Sequence, residues 1–275
     1  MINSEEPPNN EPPDSDEFEV SIFGPGVGEC CVLHLGDGEW FVVDSCRPSD
    51  AGQPVALAYL NELGVDLSSK LRGVVATHWH DDHVDGIADL LKEAPNATFY
   101  CSAAQKTDEF KTLIEAGRGT KLEFDGVDEI RSVWSHLLKQ KAGGQRRASV
   151  TPELVKSDQR LYSGGDVEIW ALSPSSATLN LAKQEIAELL PQTSDCKRRL
   201  VAQDANSLSV VLWINTPGYQ VLLGGDLETS NNPETGWTAL ARPSDSEQRA
   251  TLYKVAHHGS STADAPCIWD ELLED

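Results

Sequence analysis

Six consecutive residues, His78-Trp79-His80-Asp81-Asp82-His83, put four metal-competent side chains at the end of an apolar run from Leu71 to Thr77. A strand that stops in a tight loop points His78 and His80 one way and Asp82 and His83 another, which holds two metals side by side. Neutral imidazoles suit zinc, manganese or iron. A carboxylate beside a third imidazole adds negative charge, which favours a second divalent ion and lowers the pKa of a bridging water. A His-rich surface loop or an adventitious metal site is the plain alternative and would suit a lone His pair. The full HxHxDH set behind a buried-looking strand favours catalysis.

Further blocks follow in order. Phe18 to Glu29 leads through a glycine turn into Cys31 to Leu35 and then Trp40 to Ser45, short apolar runs that read as opening strands, with Asp44 closing the third. Asn206 to Leu212, Val221 to Glu228 and Leu252 to Ser261 come later. Asp226 ends an apolar strand in a Gly-Gly-Asp turn, where the glycines permit close backbone approach and the carboxylate can bridge two ions. A simple turn Asp is the plainer reading. Together these blocks resemble the metallo-β-lactamase fold: α/β, a four-layer αββα sandwich with its metals at one edge between two sheets. The Asn-Ser-Leu, Gly-Asp-Leu-Glu and His-His-Gly-Ser set is similar to the subgroup typified by the hydrolase domain of the competence protein ComEC and its free-standing bacterial relatives. The likeness spans about residues 18 to 261 and is more specific for fold than for substrate.

That resemblance implies a hydrolase with two divalent metal ions, zinc or manganese, held by His78, His80, Asp82, His83, Asp226 and one of His257 and His258. Asp82, His257 and His258 are the candidate catalytic residues; whichever His does not bind metal contacts substrate or donates a proton. Asp44 is expected to orient a ligand His, and Asp81 to face solvent or support a ligand. One departure stands out. Many members take a third His for the first metal from mid-chain, but no His lies between His136 and His257, and His136 sits in a helix-like stretch, Asp128–Lys141, as an expected surface residue. By the subgroup resemblance Asn206 or Ser207 takes that place; otherwise water does. The first metal is then held more loosely than the second.

A formal net charge of −22 argues against a nucleic-acid substrate, because phosphate binding draws on basic surface. Half of that charge lies in the two ends: residues 1–17 hold six acids, residues 264–275 five, and neither holds a base. Two divalent ions would place positive charge where a phosphate must sit. Lys139, Lys141, Arg146 and Arg147 form one basic cluster, read as a solvated face. Lys197, Arg198 and Arg199 form a second on a loop leading to Asn206, suited to a phosphate next to the scissile one. Two readings follow: a phosphodiesterase, most readily a nuclease on DNA or RNA, or a hydrolase of a small lactone, thioester or phosphoester.

No apolar run approaches a membrane span and the N-terminus lacks signal-peptide features, so a cytoplasmic bacterial protein without membrane contact is expected. The six Cys show no C-x-x-C pair, which fits reduced thiols. The expected organisation is a disordered acidic, Pro-rich tail at 1–17 and one hydrolase domain at 18–275 with an insertion at about 117–166. Helices are expected at Pro54–Leu63, Asp85–Glu93, Ala103–Ala116, Asp128–Lys141 and Ala177–Leu190, and further strands at Ala97–Cys101 and Val167–Leu172. After Ser260 the subgroup pattern continues through another strand and helix. Trp269, Leu272 and Leu273 are therefore expected to need cover from a C-terminal regulatory domain, a partner protein or a homo-oligomer contact.

Overall fold

Short runs rich in Val, Leu, Ile and aromatic residues build two sheets. The first contains β1 (Glu19–Phe23), β2 (Cys30–His34), β3 (Trp40–Val43), β4 (Leu71–Ala76), β5 (Thr98–Ser102) and β6 (Glu153–Val155), in that spatial order. The computed structural model describes residues 11–24, 26, 28–48, 52–106, 126–142, 151–189, 205–240 and 248–274. β1 to β3 are antiparallel; β3 to β6 run parallel, which requires crossovers. Those crossovers carry α1 (Val55–Glu62), α2 (Leu67–Lys70), the single turn α3 (Asp81–Val84), α4 (Ile87–Glu93) and α5 (Val127–Ala142). The second sheet has the order β11-β10-β9-β8-β7, from β7 (Gln159–Gly164), β8 (Val167–Ala171), β9 (Leu212–Asn215), β10 (Gln220–Leu223) and β11 (Leu252–Lys254). Its strands are antiparallel except β11, which runs parallel to β10. α6 (Ser176–Leu189) follows β8.

Side-chain alternation along the strands sorts the core into layers. Val32, Val42 and Val74 face α1, α4 and α5, packing with Leu57, Leu60, Ile87, Leu90, Ile130 and Val133. Their neighbours Leu33, Phe41 and Val75 face the other sheet and meet Ile169, Leu212, Ile214, Val221 and Leu223. The far face of the second sheet, with Val211, Trp213 and Leu222, is covered by Trp237, Ile268, Leu272 and Leu273. Among the described residues that outer cover consists of short turns, including one π turn at Ile268–Leu272, and no long helix.

Most of the expected helices and strands recur within a few residues of their bounds, and the differences are these. Residues 205–208 wind into a 3-10 turn, and the strand expected from Asn206 starts only at Leu212, because Asn206 turns its side chain toward His257 and its carbonyl accepts from Ser209 N. The insertion holds β6 and all of β7 besides its helix. Leu272 and Leu273, expected to lack cover, are buried in the outer layer through a parallel bridge between Ala250 and Leu273, whereas Trp269 is exposed beside Tyr253. Of Ala103–Ala116, residues 103–106 form a 3-10 turn and the rest lies outside the described residues. Of residues 1–17, only 11–17 are described; there Ser15 O accepts from Asp37 N and Glu17 O contacts His34 Nδ1.

Gly73 of β4 lies directly across from Phe41 of β3, and a Cβ there would sit 2.3 Å from the ring Cε2 of that fully buried Phe. The ring fills the space a side chain would need. Gly73→Ala is expected to destabilise the protein by about 1–3 kcal/mol, read as a lower denaturation midpoint with unchanged m-value.

Candidate metal centre

The loop after β4 meets the second sheet around one buried carboxylate, Asp44. Its backbone lies in the left-handed region at φ 62°, fixed by Asp44 N donating to Val75 O and Ser45 N donating to His83 O. This turn aims the carboxylate inward. Oδ1 accepts from Thr77 N at 2.7 Å, and Oδ2 accepts from Thr77 Oγ1 at 2.7 Å and contacts His83 Nδ1 at 2.8 Å. A carboxylate cannot donate, so His83 carries a proton on Nδ1 and turns Nε2 to the centre, where it can hold a second proton or, once that is displaced, a metal. Thr77 Oγ1 has given its proton to Asp44 and accepts from His78 Nδ1 at 3.0 Å, which leaves His78 Nε2 as a lone pair. One buried acid thus sets both tautomers.

Both Nε2 atoms aim at Asp226. His83 Nε2 lies 3.2 Å from Asp226 Oδ1, and His78 Nε2 lies 3.8 Å from Oδ2. His258 Nε2 joins from the other strand end, 3.6 Å from Asp226 Oδ2, 3.2 Å from Asp82 Oδ2 and 3.3 Å from His83 Nε2. His80 Nδ1 contacts His78 Nε2 at 3.1 Å. Two glycines make this approach feasible. A Cβ on Gly224 would lie 2.8 Å from the Ala256 Cβ, and one on Gly225, at φ 50°, would lie 2.5 Å from Ser209 Oγ, the atom that accepts from Asp226 N.

Acceptors that face acceptors in a buried site demand a cation between them. Asp226 Oδ1 is buried without a conventional hydrogen bond and lies 3.2 Å from His83 Nε2, so a proton or a metal ion must sit between the two. The electrostatics show the same demand. Burial disfavours a charged His83, yet Asp44 and Asp226 outweigh it and push its pKa well above the usual value. Burial raises the Asp226 pKa, but His83 together with His258 and His257 outweighs it and holds the carboxyl below its ordinary range. His78 is held well below its usual value by burial and then by its His neighbours, so it is neutral and able to ligate. Imidazole and carboxylate donors in this arrangement fit a borderline divalent ion such as zinc, or manganese.

His257 is turned away from this cluster. Its Nδ1 lies 3.0 Å from Glu228 Oε1 and 3.2 Å from Thr262 Oγ1, and Nε2 contacts Asn206 Nδ2 at 3.4 Å. Asn206 Oδ1 is buried and has no hydrogen-bond partner among the described residues. Ser207 shares the 3-10 turn with Asn206. Asp81 reaches sideways and accepts from Gly126 N at 2.6 Å, tying the loop to the start of α5. His136 contacts Gln140 one turn along α5. Lys139 and Lys141 are exposed on α5; Arg146, Arg147, Lys197, Arg198 and Arg199 lie outside the described residues.

A family model described as the metallo-beta-lactamase superfamily matches residues 23–174, more than half of the chain. The chain belongs to that superfamily. The matched span includes Asp44 and the HxHxDH loop and stops before Asp226 and His258, which the fold brings to the same edge. Solved structures with similar folds include the metallo-beta-lactamase SMB-1 bound to 2-mercaptoethanesulfonate (14% identity, TM-score 0.43, covering 78% of this chain and 64% of that one). A metallo-beta-lactamase of Cronobacter sakazakii (14%, 0.40, 75% and 55%) and the metallo-beta-lactamase fold protein YhfI of Bacillus subtilis (14%, 0.37, 74% and 57%) are others. This chain spans less than two thirds of each of them. Superfamily membership implies a metal-dependent hydrolase.

The sequence alone did not single out Thr77, Ser209 and Glu29, which contact the cluster, or Glu228, which holds His257 beside it. Thr77 could have been found, because it is the strand residue immediately before the first His. The others are brought in from separate strands, and no local spacing reports them. Asp44→Asn is expected to weaken zinc binding about 10–100-fold. With one oxygen kept on Thr77 N, the amide would present an N–H to His83 Nδ1 and force the tautomer that removes the Nε2 lone pair. Calorimetric titration of chelated protein checks this; wild-type affinity in the variant would refute it.

Proposed function

We propose that this chain is a metal-dependent phosphodiesterase, most readily a nuclease acting on DNA or RNA, in a bacterial cytoplasm. The observation that carries the reading is the position of Asp226, one carboxylate with Oδ1 toward His83 and Oδ2 toward His78 and His258. A carboxylate shared between two imidazole groups suits two divalent ions, zinc or manganese, and such a pair supplies an activated water and neutralises charge at phosphorus in an in-line displacement. His78, His80 and Asp226 would hold one ion, with the orphaned Asn206 Oδ1 supporting an oxygen ligand where the mid-chain His is lacking. Asp82, His83, His258 and Asp226 would hold the other. His257, steered by Glu228 and Thr262 and partly exposed, is the side chain available to hydrogen-bond the departing oxygen.

The finer assignment draws on sequence. The Asn206-Ser207-Leu208, Gly225 to Glu228 and His257 to Ser260 motifs support a ComEC-like subgroup. Lys197, Arg198 and Arg199, a few residues before Asn206, are proposed to contact a neighbouring phosphate. No described helix is long and apolar enough to cross a membrane, and the described Cys residues are all unpaired, which supports a reducing compartment. A small lactone, thioester or phosphoester substrate is the second reading, favoured by the net charge of −22.

The test is to load chelated protein with zinc or manganese and assay single- and double-stranded DNA, RNA, a chromogenic phosphodiester and a lactone. Phosphodiester turnover is expected, abolished in His80→Ala and Asp82→Ala with the fold retained; turnover of the lactone alone would contradict it. Charge reversal at Lys197, Arg198 and Arg199 is expected to raise KM for polynucleotide and flatten its salt dependence while leaving the chromogenic substrate unaffected. Equal loss on both substrates would reject a phosphate contact.

A further inference from the structure

Beneath the centre lies a buried ion pair that none of the proposed ligands accounts for. Glu29, at the entrance to β2 in the first sheet, is 5% exposed and pairs with Lys254 at the end of β11 in the second. A buried pair of this kind adds little stability compared with a packed apolar pair, because desolvation offsets much of the attraction. The pair therefore invites a reason other than stability.

Position supplies one. Glu29 N donates to Asp82 O at 2.9 Å, and Glu29 Oε2 lies 3.5 Å from His258 Nδ1, an ion-pair distance that a small ring rotation would close to a hydrogen bond. The opposite ring nitrogen, Nε2, faces His83, Asp82 and Asp226. The placement parallels that of Asp44 behind His83, at 3.5 Å in place of 2.8 Å: a buried carboxylate behind Nδ1, with Nε2 facing the centre. His258 needs such a guide more than His83 does. Its side chain is 36% exposed and its backbone is held at φ 51°, so packing alone fixes its ring weakly.

We propose that Glu29 is a positioning residue for His258, fixing its Nδ1–H tautomer and ring orientation, and that Lys254 holds the Glu29 carboxylate in place across the two sheets. This rests on the metal-centre reading above. Glu29 Oε2 approaches the Nδ1 edge of the ring while Asp82 and Asp226 face Nε2; because the Glu29 carboxylate also lies within 4.8 Å of ligand atoms of His83 and Asp226, direct ligation by Glu29 is the outcome that loss of affinity without Gln rescue would show.

The test compares two double variants of the full chain, each free of a buried unpaired charge. Glu29→Leu with Lys254→Met removes both charges and the acceptor; Glu29→Gln with Lys254→Met removes the charges and keeps an acceptor for His258 Nδ1–H. Zinc binding after chelation is followed by calorimetry, and cobalt binding by its visible spectrum. With the Leu/Met variant, one of the two sites is expected to weaken about 10–100-fold with an altered cobalt spectrum, and with Gln/Met most of that affinity is expected to return. Wild-type isotherms and spectra in the Leu/Met variant would overturn the proposal and leave the pair as a structural staple. Should the double variants not fold, cobalt-loaded wild-type protein provides the second measurement. A hyperfine-shifted, slowly exchanging proton that vanishes in His258→Gln is expected, and its absence would overturn the proposal. Asp226→Ala separates the two levels. If zinc binding survives that change, the metal-centre reading itself fails; if binding is lost there but unchanged in Leu/Met, only the role of Glu29 fails.

Discussion

Two imidazole protons are committed away from the centre, and the candidate site depends on that. Asp44 takes one from His83 directly and, through Thr77, fixes the other on His78. Both Nε2 atoms then face a carboxylate in a region closed to water. Without a cation this is an unfavourable meeting of acceptors, worth several hydrogen bonds' penalty in a low-dielectric interior. With one it becomes a set of preorganised ligands. The strong upward push on His83 is the same fact in electrostatic form: positive charge belongs at that point.

The fold provides the rigidity this needs. HxHxDH hangs from β4 at the centre of the first sheet, and Asp226 and His258 follow β10 and β11 of the second, so packing between the sheets sets the distance across the centre. Of the five described non-glycine residues at φ between 49° and 62°, three, Asp44, His257 and His258, lie at the site. Such conformations cost on the order of 1–3 kcal/mol each and persist where surrounding bonds over-determine them. Here His257 N donates to Gly225 O, Ser260 N to His257 O, and Asp44 N to Val75 O. Strain of this kind, concentrated beside the polar cluster, suits a site whose side chains must not relax toward one another.

Much of this was legible in the sequence, for physical reasons. HxHxDH is local, its candidate ligands share one loop that the structure turns toward Asp226, and the strand before it announces itself as an apolar run. The Gly224-Gly225-Asp226 turn was legible because close backbone approach leaves glycine as its mark, and the Cβ distances bear that out. The ordering of His257 and His258 was not. Two adjacent imidazoles look alike in sequence, and only their left-handed backbone turns one toward Asp82 and the other toward Glu228. Glu29 was equally hidden: its partner is Lys254, far along the chain, and a lone acid after a glycine turn carries no local sign of burial. The C-terminal segment misled because Leu272 and Leu273 look unpartnered until the bridge from Leu273 to Ala250 lays them over Trp213 and Trp237.

The central claim is that the buried acceptors around Asp226 exist to hold cations. Anomalous diffraction from crystals of the zinc-loaded protein, collected on either side of the zinc edge, tests it most directly. The account predicts two anomalous peaks flanking the Asp226 carboxylate, one beside His78 and His80 and the other beside His83, Asp82 and His258. No peak at this position, or zinc bound only elsewhere on the surface, would contradict it.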